Sequence, residues 1–257
     1  MIDSAERSVA SPEGTRYDLW EGVIVLDKPS GPTSHDIVDA VRRKLAIRRV
    51  GHTGTLDPAA SGVLVIMLGK ATKLSRFLMS VEKSYTAALK LGFETDTMDI
   101  EGSVTDRKTV PDCSKEEILR ALESFRGGQL QVPPMFSAKK VNGKKLYKLA
   151  REGKEVERKP SEITIFDIGL LDYSRPELTF YVKCSKGTYL RTLCSDIGRK
   201  LGCCACMTAL KRTQNGVFKL ENAVSLDDFM DMSCEKIKSV MLSLDKVNEI
   251  IKEGRSA

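Results

Sequence analysis

The sequence predicts an α+β sheet domain. Stretches with the apolar alternation of strands and stretches with the 3–4 apolar spacing of helices both recur, but without the regular strand–helix–strand rhythm of a doubly wound parallel fold. Helix starts are marked by capping residues, and the strand pattern resumes in "ITIFDIGLLDYS" and "ELTFYVKCSKGTYLRTL" after a long basic interruption. At 257 residues, 41% hydrophobic and 30% charged, the chain can bury a sizeable core.

In chain order, "GVIVLDKPSGPTS" gives an apolar strand, Val23 to Leu26, that enters a Pro/Gly turn. Thr33 or Ser34 then caps a helix with Ile37, Val38, Val41 and Leu45 on one face. Val63 to Leu68 reads as a buried strand, followed by a helix over about residues 71–79. In "KSYTAALKLGFETDTMDIEGSVTD" strands flank an acidic turn. Ser114 with Glu117 forms a capping box before the face Ile118, Leu119, Leu122 and Phe125, and Gly127 suits the end of that helix. A helix with Leu190, Leu193, Ile197 and Leu201 stops at Gly202, and residues 225–252 read as two short amphipathic helices without further strands. The organisation is therefore an N-terminal tail over 1–19, a main domain over 20–220 carrying an inserted basic arm at 132–160, and a helical segment over 221–257.

The longest apolar run, around Val63 to Leu68, is far short of the roughly 20 residues of a membrane helix. Residues 1–16 have no apolar core of the signal-peptide kind, so no membrane association is expected and the location expected is cytoplasmic. Seven cysteines without paired spacing read as reduced thiols. Cys203, Cys204 and Cys206 cluster, but no second ligand pair matches them and neither His35 nor His52 is near in sequence, so no metal is expected.

Net charge is +6, and its basic groups cluster. Between Pro133 and Pro160 nine Lys/Arg, among them Lys139, Lys140, Lys144 and Lys145, interleave with Phe136 and Tyr147. Cations for phosphates beside aromatic faces suit a polyanion, so the arm reads as a nucleic-acid clamp.

The stretch "RRVGHTGTLDPAASGVL" sets one carboxylate, Asp57, in a loop made tight by Gly51, Gly54 and Gly62 and stiffened by Pro58. A rigid loop suits a reacting group as well as a simple turn cap. Neither a Ser-His-Asp order nor a Gly-Lys-Ser/Thr phosphate loop occurs, so spacing alone leaves the activity open.

Taken together and in order, "LDKPSGPTSHDIV", "RRVGHTGTLDPAASGVL", "GKATKL", "KSYTAALKLGFETDTMDIEG", "VPPMFSAKKVNGKKLYKLAREG", "CSKGTYLRTLCSDIGRKLG" and "ALKRTQNGVF" resemble the blocks of the TruB family of tRNA pseudouridine synthases over roughly residues 20–220. The resemblance implies the pseudouridine synthase fold: a mixed, mostly antiparallel sheet flanked by helices and loops, with an inserted RNA-binding arm. It implies isomerisation of the uridine at position 55 in the tRNA T-loop, by flipping the base, breaking its N-glycosidic bond and rejoining it through carbon. The implied partner is the T-arm stem-loop of tRNA, with no cofactor, no metal and no protein partner, the enzyme acting as a monomer.

By the same resemblance Asp57 is the catalytic aspartate and Arg191 in "GTYLRTL" its guanidinium partner, which favours the ionised carboxylate. A carboxylate can attack the anomeric carbon or the uracil ring, or deprotonate C2′ of the sugar. Tyr85 matches the tyrosine that lies against the flipped base, where stacking returns about 1–3 kcal/mol of the flipping cost. His52 matches a histidine contacting RNA near the vacated position; Lys28 and Pro29 border the pocket, Tyr189 lies in the arginine motif and Leu210 matches an apolar wall. Cys204 and Cys206 stand where the family pattern has a glycine and a histidine, and Lys211 where an arginine is usual. After Lys219 nothing resembles the RNA-binding PUA module of some relatives, which points to a bacterial-type enzyme.

Overall fold

The computed structural model describes residues 20–141 and 143–256; the tail expected over 1–19 lies outside the described residues. Strand β1 (Gly22–Lys28) leads through the Pro/Gly turn to helix α1 (Ser34–Leu45). Thr33 starts that helix reciprocally: its hydroxyl accepts the Asp36 N–H at 3.1 Å, and the Asp36 carboxylate accepts the Thr33 N–H at 2.8 Å. Strand β2 (Val50–His52) pairs antiparallel with β3 (Ser61–Leu68), and β3 pairs antiparallel with β1.

Seven of the eight β3 residues are buried because both sheet faces are covered there. Leu64, Ile66 and Leu68 pack with the α1 face, whereas Val63, Val65 and Met67 pack with Ala71, Leu78, Phe218 and Val247. The helix expected over 71–79 is instead a 3₁₀ helix, Gly69–Leu74, that becomes α-helical only in α2 (Ser75–Leu78).

Strand β4 (Lys83–Leu91) is followed by the small ribbon β5 (Phe93–Thr95) and β6 (Val104–Arg107), with the acidic turn between them. Helix α3 (Lys115–Glu123) carries the expected Ser114–Glu117 box, and β7 (Gly127–Gln131) leads into the arm. The arm holds a hairpin of β8 (Lys140–Val141) and β9 (Lys144–Lys145) and the short helix α4 (Leu146–Arg151), whose Leu146 and Leu149 are buried. Strands β10 (Ser161–Ser174) and β11 (Glu177–Cys184), helix α5 (Leu190–Lys200) and strand β12 (Ala205–Asn215) complete the second half.

The C-terminal segment differs from expectation. After β13 (Phe218–Lys219) it contains β14 (Val224–Ser225), α6 (Leu226–Asp231), α7 (Cys234–Val240), β15 (Leu242–Ser243) and α8 (Leu244–Ser256), so it has three α-helices among the described residues, and both β14 and β15 pair with β1. It completes the first half of the sheet rather than trailing from it.

The main sheet runs β14-β1-β3-β12-β4-β11-β10-β7, and its pairs are antiparallel except β1–β14 and β3–β12. The β3–β12 joint links the two halves through only two parallel partners, Ser61 with Lys211 and Gly62 with Arg212. Gly62 has φ +101°, and a Cβ there would lie 2.2 Å from the Arg212 carbonyl oxygen, so only glycine permits this approach. On one side of the joint lies the α1 core; on the other, α3 and α5 pack on Ala87, Leu89, Phe180 and Ile165.

Candidate active site

Asp57 sits in the loop that reaches this joint from β2, and its neighbours are pinned from several directions. Lys28, at the end of β1, is fully buried and donates its three N–H groups to the carbonyls of Pro29 (2.9 Å), Pro58 (3.1 Å) and Ala60 (2.7 Å). Ser34 donates to the Leu56 carbonyl at 3.0 Å and accepts the Leu56 N–H at 2.8 Å, while the Gly31 N–H donates to the Pro58 carbonyl at 2.9 Å. These bonds fix the backbone on both sides of Asp57. Burial pulls the Lys28 ammonium down to about 8, and the nearby Asp57 charge opposes that fall. Lys28, expected at the border of the pocket, is enclosed by these carbonyls and positions the Asp57 loop. Pro29 beside it is exposed.

Arg191 enters from the first turn of α5. Its Nη2 lies 3.0 Å from Asp57 Oδ2 and donates to the Phe136 carbonyl at 2.7 Å, while Nη1 donates to the Thr97 carbonyl at 3.1 Å and lies 3.5 Å from Asp99 Oδ2. Asp99 is itself held by the Thr97 hydroxyl at 2.6 Å. One guanidinium thus gathers the Asp57 loop, the acidic turn, the root of the arm and α5. The Asp57 side chain stays 43% exposed, and its Oδ1 has no partner among the described residues.

Above the pair opens a cavity of about 740 Å³, lined by Asp57, Tyr85, Tyr189, Arg191, Leu210 and Arg212 among others. That is enough for one nucleotide. Tyr85 and Arg212 are partners across β4 and β12, and burial raises the pKa of the Tyr85 phenol, so it stays protonated. Arg212 is almost completely buried and donates to the carbonyls of Val63 at 2.7 Å and Gly54 at 3.1 Å, spanning the joint between the halves. Tyr189 is clamped by Gln131, which accepts its N–H at 2.8 Å and donates to its carbonyl at 3.1 Å.

His52 does not line this cavity; the next residue, Thr53, does. Its Nδ1 accepts the Gly54 N–H at 3.2 Å, so the ring proton is on Nε2, and burial followed by the Arg212 charge lowers its pKa and keeps it neutral. In the arm, Lys140, Lys144 and Lys145 are exposed, whereas Lys139 lines the cavity and donates to the Ser161 hydroxyl at 2.6 Å. Cys203, Cys204 and Cys206 are buried, with the Cys204 thiol 3.2 Å from Asp106, and no group of His, Cys, Asp and Glu among the described residues could hold a metal ion.

Arg212, Asp99 and Gln131 escaped sequence reading as site residues. For Arg212 a signal existed: it falls two residues after Leu210 on a strand, and therefore on the same face.

The model of the TruB family pseudouridylate synthase N-terminal domain matches residues 42–190, and that of the tRNA pseudouridylate synthase B C-terminal domain matches 191–248. The chain belongs to the TruB family. Its similar relatives include proteins named tRNA pseudouridine synthase B from Clostridium perfringens, 49% identical over 89% of this chain and 79% of the relative, and from Syntrophotalea carbinolica, 48% identical over 87% and 73%. Among solved structures it is similar to a chain of a Cbf5-Nop10-Gar1 complex, at 30% identity and TM-score 0.71, covering 90% of this chain and 63% of that one. A chain of an H/ACA RNP bound to a substrate RNA containing 2'-deoxyuridine is 29% identical with TM-score 0.63, covering 86% of this TruB-family chain and 55% of that one. The family models meet between Leu190 and Arg191, so Asp57 and Arg191 come from different matched segments.

Proposed function

We propose that this TruB-family protein converts uridine to pseudouridine at position 55 in the T-loop of tRNA, as a monomer and without metal or cofactor. The observation that carries the reading is the Asp57–Arg191 pair beneath a nucleotide-sized cavity walled by Tyr85 and Leu210. The target nucleotide swings out of the T-loop stack, and its base lodges against Tyr85. Arg191 holds one carboxylate oxygen, which leaves the other to attack the sugar or ring, or to take the C2′ proton. The C1′–N1 bond breaks, the base turns within the cavity, and C1′–C5 forms; N1 gains a proton and C5 loses one, so the product is an isomer of the substrate. His52, Pro29, Tyr189 and the arm lysines hold the RNA around this centre.

The relatives at 48–49% identity carry tRNA in their names, which supports tRNA over other RNA as the substrate. The test is to incubate a tRNA transcript with the purified protein and map pseudouridine by position. Pseudouridine confined to position 55 and absent with Asp57→Asn is expected. A transcript left unmodified, or modified elsewhere, would overturn the reading.

A further inference from the structure

The cavity wall carries more positive charge than the Asp57–Arg191 pair uses. Arg76, Lys83, Lys186 and Arg212 all line it, and none of the four makes an ion pair with a carboxylate among the described residues. Arg76 and Lys186 are exposed at the rim, where a solvated cation needs no partner. Lys83 is different, being only 7% exposed. A buried ammonium without a counter-charge is costly unless something else compensates it.

Among the described residues no carboxylate lies within ion-pair distance of Lys83; the adjacent Glu82 is paired with Lys183 at 2.7 Å. Its Nζ donates to the carbonyls of Met79 at 2.8 Å and Val81 at 2.5 Å, which leaves the third N–H without a partner among the described residues. Its cross-strand neighbours are Asn215 on β12 and Cys184 on β11. Burial pushes the Cys184 thiol up to about 11, so it is neutral at physiological pH. Burial, and after it the nearby cations Arg212 and Lys186, pull the Lys83 ammonium down to about 8.

Position then selects the ligand. Lys83 and Tyr85 lie two residues apart on β4 and hence on the same face, about 7 Å from each other along the strand. That is close to the span from a nucleobase to the phosphate of its own nucleotide. We propose that Lys83, with Arg76 and Lys186 at the rim, binds the backbone phosphate flanking the nucleotide whose base lodges against Tyr85. The proposal rests on the function given above and adds to it a phosphate subsite inside the cavity, distinct from the arm. The phosphate supplies the missing counter-charge, so the buried cation is compensated only when RNA is seated.

The rival account is that Lys83 merely ties the turn at Met79–Val81 to β4. A charge-removal cycle separates the two. T-arm stem-loops are made with the natural phosphates, or with one uncharged methylphosphonate 5′ or 3′ of the target uridine, and dissociation constants are measured for the parent protein and for Lys83→Gln. Pseudouridine formation by the parent on the natural RNA is measured first, and its absence would overturn the functional reading. The expected result is about a tenfold loss from Lys83→Gln, a similar loss from one of the two methylphosphonates, and no further loss when both changes are combined. Additive losses for both methylphosphonates, or unchanged binding by Lys83→Gln, with an active parent, would overturn the phosphate contact alone.

Should Lys83→Gln fail to fold, the parent chain itself answers by lysine footprinting with an amine-acylating reagent. Natural RNA should protect Lys83, and the RNA with the critical methylphosphonate should protect it several-fold less. Equal protection by every RNA would overturn the proposal.

Discussion

Arg191 stands 3.0 Å from Asp57 across the junction of the two halves of the fold, and the same guanidinium group donates to the carbonyls of Phe136 and Thr97. Asp57 therefore does not choose its own orientation. The Lys28 and Ser34 bonds fix its backbone, and Arg191 fixes one of its oxygens.

Removing the charge of Asp57 while keeping its shape isolates its chemical role. Asp57→Asn should abolish pseudouridine formation and leave tRNA binding within a few-fold, because the amide still fits the loop but neither attacks nor accepts a proton. Single-turnover assays and filter binding read the two effects separately; multiple turnover by the pure variant would contradict the assignment.

Arg191→Lys keeps the charge but not the fork. An ammonium cannot reach Asp57, Phe136 and Thr97 in the same geometry, so the carboxylate should lose its alignment. We expect single-turnover rates to fall by about 10²-fold at saturating tRNA, with little change in affinity.

For Tyr85 the ring and the hydroxyl can be separated. Tyr85→Leu removes the stacking surface and should slow the reaction strongly. Tyr85→Phe keeps that surface and loses only the hydroxyl, so a small loss indicates stacking alone and a large one indicates that the protonated phenol handles a proton. A Leu variant as fast as the parent would remove Tyr85 from the site.

The arm should act through phosphates. Lys140, Lys144 and Lys145 are exposed on its hairpin, whereas Lys139 is already bound to Ser161. Alanine at the three exposed positions should flatten the slope of log affinity against log salt by about 0.7–0.9 for each phosphate no longer neutralised. A parental slope in the triple variant would mark the hairpin as ordinary solvated surface.

Lys28 gives a pH signature in the free protein. Burial lowers its pKa from 10.5 to about 8, so between these values the unfolded chain binds a proton that the folded chain does not. Stability then rises with pH across this window relative to Lys28→Met, by at most about 3 kcal/mol for the complete shift. Denaturant unfolding of both proteins at pH 8 and pH 10 measures the difference, and equal pH slopes would show that Lys28 titrates normally.

Local signals carried much of the fold into view. Ser114 with Glu117 announces its helix because a cap is chosen by residues three apart, whereas at α1 the sequence leaves Thr33 and Ser34 open and the structure shows Thr33 paired with Asp36. The two-residue strands β14 and β15 give no such signal, since alternation needs more residues than they contain. Lys28 misleads for a related reason: β1 is buried on both faces, so the usual outward position of a lysine does not exist there. Asp57 and Arg191 could be paired only through resemblance, because their meeting depends on how two distant segments dock and not on any spacing between them. Lys83 stayed hidden as a site residue, since a basic residue on a strand reads as solvated surface until its neighbours are placed.

The two-residue joint between β3 and β12 has a consequence for when the protein becomes dangerous to its substrate. Asp57 lies on the loop between β2 and β3 on one side of the joint and Arg191 on α5 on the other, with Gly62 and Arg212 at the seam. Under the function proposed above, a nascent or damaged chain with only one core formed has no aligned Asp57–Arg191 pair with which to cut a glycosidic bond. If cleavage at that pair requires both cores to dock, a half-built chain leaves the RNA intact rather than stripped of a base.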